Sequence, residues 1–163
     1  MNLCHRRTAV GRLVLAAGLW AAGCSSEKHG AESSDPDLSR RGSIEVTAKL
    51  EPIPEGAIFD RPLYNYATVL KYHVIEVHRG RVKGDTIYVG HYNPAKPRSE
   101  VADKRVPDIG GNLKEFRAGQ VHRMALEASM LDSFTGGILN KYSEEDTDPI
   151  YWAIWTDLDV TKG

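Results

Sequence analysis

Tyr66-Ala67-Thr68-Val69-Leu70-Lys71-Tyr72-His73-Val74-Ile75-Glu76-Val77-His78 carries the strongest strand signal in the chain. β-Branched and aromatic side chains dominate it, and these fit a pleated, half-buried surface. Val69 and Leu70 are adjacent, as are Val74 and Ile75, so strict alternation breaks twice. A bulge or bend in one long strand is the expected cause. Arg79 to Asp85 follows, with Gly80 and Gly84 and little apolar character, and then a second run from Thr86 to Tyr92. Two strand-like runs around a short glycine-containing link predict a hairpin.

Working outward, residues 43–50 place Ile44, Val46, Ala48 and Leu50 on one face, the alternation of a half-buried strand. Pro52, Pro54 and Gly56 end it. Residues 93–112 contain Pro94, Pro97, Pro107, Gly110 and Gly111, which predicts a long loop. Ala118-Gly119-Gln120 reads as a turn into a strand over Val121 to Ala128, with Met124 and Leu126 on one face. Gly136-Gly137 interrupts the chain, and 138–142 has the character of a short helical turn. Ile150 to Leu158 is the last strand. Its large residues fall on both faces, so it is either buried twice or displays aromatics. About five to six short strands separated by turn signals predict a mainly β domain over 43–163, a small OB-like barrel or sandwich.

The runs Ala67-Thr68-Val69, Val74 to Gly80 and Gly84 to Val89, followed by Phe116-Arg117-Ala118-Gly119-Gln120-Val121, loosely resemble exported OB-type barrels of the netrin/TIMP-like kind. The resemblance covers about half of the predicted domain and lacks that family's cysteines. It implies a fold and no activity, because fold alone does not fix function.

The N-terminus has a different character. Arg6, Arg7 and Arg12 precede any acid, and the apolar run Leu13 to Ala22 ends at small residues before Cys24. A basic region, a short apolar core and a small-residue cleavage site make a secretory signal over 1–23. The apolar run is about half the length needed to span a bilayer. Ala21-Ala22-Gly23-Cys24 resembles the lipobox of bacterial lipoproteins, with Ala21 where that family usually has Leu. The resemblance implies cleavage before Cys24 and a diacylglyceryl thioether on its sulfur. Of the two cysteines, Cys4 leaves with the signal, so lipidation also removes the one thiol left in the exported chain. Two acyl chains hold a protein firmly to a membrane, whereas one does so marginally. Ser25 stands where lipoproteins retained at a Gram-negative inner membrane commonly carry Asp. The expected location is therefore the outer membrane, facing the periplasm, in a cell that has one. Residues 24–42 hold a single large apolar residue, Leu38, and read as a flexible tether.

Composition restricts the rest. Three of the 21 basic residues leave with the signal and all 22 acids stay, so the exported part is net acidic. That argues against a general nucleic-acid partner. No phosphate-binding glycine motif, nucleophile elbow or marked carboxylate pair is present, and no cofactor is implied. His73, His91 and His122 each share a strand face with apolar neighbours. If those faces meet inside a barrel, three histidines and a water would suit zinc. The chain has no His-x-His or His-Glu-x-x-His spacing, so hydrogen-bonded strand histidines are the competing account. The long loop is the expected contact surface, with Tyr92 and Asn93 at its root and Lys96, Arg98 and Arg105 along it. Glu100, Asp103 and Asp108 nearly balance its charge, as an ordinary surface loop would require. The expected function is a non-enzymatic, membrane-anchored envelope module that binds a protein or a polysaccharide. The alternative is a metal-binding protein or metalloenzyme built on the strand histidines.

Overall fold

In the computed structural model the described residues are 36–60, 63–142 and 149–161, without the side chain of Ser39. The signal, Cys24 and the tether up to residue 35 lie outside them. Six strands form: β1 (Ile44–Leu50), β2 (Tyr66–Arg79), β3 (Thr86–Tyr92), β4 (Val121–Glu127), β5 (Gly137–Leu139) and β6 (Ile150–Leu158). Two short helices accompany them, α1 (Pro36–Arg40) and α2 (Met130–Ser133). No helix among the described residues is long and apolar enough to cross a membrane.

Hydrogen bonding runs β1-β4-β6-β3-β2-β5, and β1 also pairs with β2. The second contact closes a five-stranded barrel, and β5 adds to the outside of β2 as a parallel edge. The β3–β6 pair is parallel, whereas β1–β2, β2–β3, β1–β4 and β4–β6 are antiparallel. This is the connectivity of an OB-type Greek-key barrel. β2 is twice as long as β1, 14 residues against 7, and its first half pairs with β3 while its second half pairs with β1. Relative to β1, β2 carries extra residues at Ile75 and His78, where the register shifts. Such bulges bend a strand and increase its twist, which lets one strand serve two sides of a barrel.

Val69 and Leu70 need no bulge. Leu70 faces the barrel interior with Val46, Leu50, Val89, Met124 and Leu126. Val69 faces outward into a second core with Tyr92, Val101, Ile109, Met130 and Trp152. The two cores sit on opposite faces of β2, β3 and β6. The last strand is likewise buried twice, with Tyr151 and Ala153 inside and Trp152 outside. The outer layer consists of α2, Phe134 and the loop after β3. Gly90 permits its close approach, because a Cβ there would collide with the Met130 sulfur.

Two local expectations change. Residues 137–139 form β5 rather than a helical turn, because their backbone pairs with Tyr66, Ala67 and Thr68. The end of the tether packs onto the domain: α1 spans 36–40 and Leu38 is 1% exposed. Arg79 fixes it by donating to the carbonyls of Leu38, Arg41 and Gly42 while also binding Glu45. Arg123 binds the other oxygen of the same buried carboxylate. Arg41 adds a contact over the Trp155 ring at 4.8 Å. Packed structure is therefore present from Pro36, the first described residue, seven residues before the first residue of the predicted barrel segment.

Candidate functional site

Inward-facing residues at one end of the barrel are polar. Tyr72 follows Leu70 on the inner face of β2, His91 follows Ile87 and Val89 on β3, and His122 precedes Met124 on β4. The three side chains meet. Tyr72 Oη lies 3.0 Å from His91 Nε2 and 3.2 Å from His122 Nδ1. His122 Nε2 lies 3.2 Å from Gln120 Oε1.

The bonds fix the direction of the chain. Gln120 Oε1 also accepts from the Arg117 backbone N–H at 2.8 Å, so this atom is the carbonyl oxygen. His122 Nε2 must then carry the proton, which leaves His122 Nδ1 as an acceptor. The Tyr72 hydroxyl donates to that nitrogen and accepts from His91 Nε2–H. By the same logic His91 Nδ1 is left as a bare acceptor, and it has no partner among the described residues. Burial, rather than any partner charge, does most to keep both rings neutral. It holds His122 down to about 4. For His91 burial comes first, and the nearby positive charge of Arg98 and the His122 ring push in the same direction, well below the usual histidine range. Burial raises the Tyr72 phenol well above its ordinary value, against the opposing pull of Arg98.

Phe116 covers this chain. Its ring centroid is 4.6 Å from that of His91 and 5.6 Å from that of His122, and the Arg98 guanidinium carbon lies 5.1 Å away. On its other side Phe116 lines an open groove of about 580 Å³. Pro54, Ile58 and Phe59 from the β1–β2 connection form one wall, Pro94 and Pro97 the other, and Asp60, Lys114 and Glu115 supply charge. Phe59 is held in place by Tyr66. Their rings stack at 4.2 Å, and the Tyr66 hydroxyl bonds both the N–H and the carbonyl of Phe59.

The loop after β3 is thus half of a site, though not through the residues expected. Arg98 is 3% exposed. It donates to the carbonyls of Tyr92, Asn93 and Lys96 and so ties the loop to the end of β3. Burial lowers its guanidinium to about 10, which leaves it charged at neutral pH. Tyr92 is buried in the outer core and its hydroxyl donates to Asp103. Asn93 adopts a φ of 42° and bonds Tyr66 N and Asn65. These three residues build the loop and offer no contact surface. Lys96 and Arg105 are exposed.

The three-histidine set also separates. His91 and His122 converge, but Tyr72 stands between them. His73 is exposed, opposite Lys49 and Thr86. The face His73 was expected to share with Ile75 and Val77 is the outer one, where those residues are 43% and 41% exposed. No group of three metal-ligating side chains occurs among the described residues. Phe116, Phe59, Tyr72 and Gln120 were not singled out from sequence. The Phe116-x-x-Gly119 turn was visible there as a fold signal only.

Comparison of the chain with protein-family models, with curated proteins and with solved structures finds no match to any of the three.

Proposed function

We propose that this chain is an exported envelope lipoprotein, anchored through Cys24, whose OB-type barrel binds an envelope protein or polysaccharide without catalysing a reaction. The single observation that carries the binding part is the groove over Phe116. Its volume of about 580 Å³ falls in the range of sites that enclose small ligands. Its walls are prolines and a stacked aromatic, so little freedom is lost when a ligand orders it. The side of an OB barrel that usually receives nucleic acid, over the second and third strands, is filled here by Met130, Phe134 and the loop carrying Val101 and Ile109. This covering, with the net acidic exported part, supports a partner other than nucleic acid.

The anchor rests on the residues around Cys24. In cells fed radiolabelled palmitate, the full chain should take up label and Cys24→Ser should not. The binding part is tested by a photo-crosslinking amino acid at Ala95, on the groove rim, against the same group at Arg81 in the hairpin link. The reading requires capture at Ala95 and none at Arg81. Equal capture at both positions, or capture at Arg81 alone, overturns it.

A further inference from the structure

We infer that the ligand of this groove is a saccharide, and that Phe116 is a gate through which one of its hydroxyl groups reaches His91 and Arg98. The inference rests on the reading of the barrel as a binding module and names its ligand class.

Two atoms beneath Phe116 lack a partner among the described residues, His91 Nδ1 and Arg98 Nε. The directional chain through Tyr72 and His122 makes the first an acceptor, whereas the second is always a donor. A buried polar atom left unpaired carries a desolvation penalty. A single group that satisfies both must donate and accept, as a buried water or a ligand hydroxyl that displaces it would. A carboxylate only accepts, so it would set negative charge against the His91 lone pair. An ammonium only donates and would face the Arg98 cation. A hydroxyl does both.

The walls favour the same class. Pro54, Pro94 and Pro97 have no N–H to offer a peptide backbone. Extended peptides are commonly held through main-chain bonds to a sheet edge, which these walls do not provide. Flat apolar rings from prolines, Phe59 and Phe116 instead suit the C–H faces of a sugar, and Asp60 and Lys114 stand ready for its outer hydroxyls. The backbone that carries Phe116 is held at Asn112, Leu113, Arg117 and Gly119, so the gate is the Phe116 ring, turning about its own side-chain bonds.

The test uses the full chain carrying Cys24→Ser, with imidazole nitrogens observed by NMR. The probes are maltohexaose, an N-acetylglucosamine hexamer, a galacturonate hexamer and, as the peptide alternative, decaproline. At least one saccharide should bind and move the His91 Nδ1 resonance as it gains a hydrogen bond, with decaproline inert. Phe59→Ala should weaken that binding about tenfold, the loss of one good aromatic contact. Phe116→Ala, which keeps the proline and Phe59 walls, should speed association. Backbone spectra of both variants establish that they are folded. If no saccharide binds, or if one saturates the groove without moving His91 Nδ1, the inference is overturned. Decaproline binding alone overturns it in favour of a peptide. The Ala95 crosslink is independent of these probes, so its persistence would leave the binding module standing while the saccharide falls.

Discussion

Arg98 shows how a residue's chemistry can be read correctly and its role misjudged. An arginine among aromatics in a proline-rich loop has the composition of a contact residue. Here its guanidinium is turned inward onto three carbonyls. Arg98→Ala would leave those acceptors buried and unpaired, and it should cost about 3 kcal/mol of stability. Arg105→Ala, at an exposed position on the same loop, should stay within about 0.5 kcal/mol. Denaturant unfolding of the two variants separates them, and equal effects would contradict the geometry. Sequence could not distinguish these arginines because both sit in irregular chain, where no periodicity tells inside from outside.

At the scale of elements, α1 is the least expected piece. One large apolar residue among polar neighbours is a poor predictor of order, yet Leu38 is buried, α1 packs against β4 and β6, and the Leu38 carbonyl accepts from Arg79. Leu38→Ala should cost about 2 kcal/mol, the lower end for a buried leucine. It should also free residues 36–42 to faster amide exchange, while β1 keeps its protection. Unchanged exchange across 36–42 would mean that Arg79 alone holds the segment. The strands were legible because alternation reports one apolar face, and Ile44 to Leu50 shows it cleanly, although Glu45 and Thr47 on the polar face are buried as well. Where the chain is covered on both faces, at Val69-Leu70 and Tyr151-Trp152, alternation vanishes. A second core and a bulge then look the same in sequence. The groove was illegible for a related reason. Its walls come from residues 53–60, 94–97 and 114–116, far apart in the chain and joined only by closure of the barrel.

For the whole molecule, the buried histidines make stability depend on pH. Both are neutral in the folded state, with affinities for protons below the ordinary histidine value. The unfolded chain takes up those protons from pH about 6.5 downward. Stability from this source is therefore complete above pH 6.5 and is lost as pH falls toward about 4, where the folded His122 begins to titrate. His122 alone should remove about 3 kcal/mol across that window. Thermal unfolding followed from pH 8 to pH 4 should show the decline begin near pH 6.5, and His122→Gln should flatten it. A midpoint that is level through pH 5 would mean the two rings already carry their protons when folded.

The central claim is that a directional, uncharged chain from Gln120 through His122 and Tyr72 ends at an open His91 nitrogen beneath the groove. The most direct test is the nitrogen NMR spectrum of the histidine side chains at neutral pH, followed down toward pH 5. The account predicts that His91 and His122 both carry their proton on Nε2, and that both rings stay neutral down to pH 5. A proton on Nδ1 of His91, or a His91 ring that becomes doubly protonated above pH 5, would contradict it.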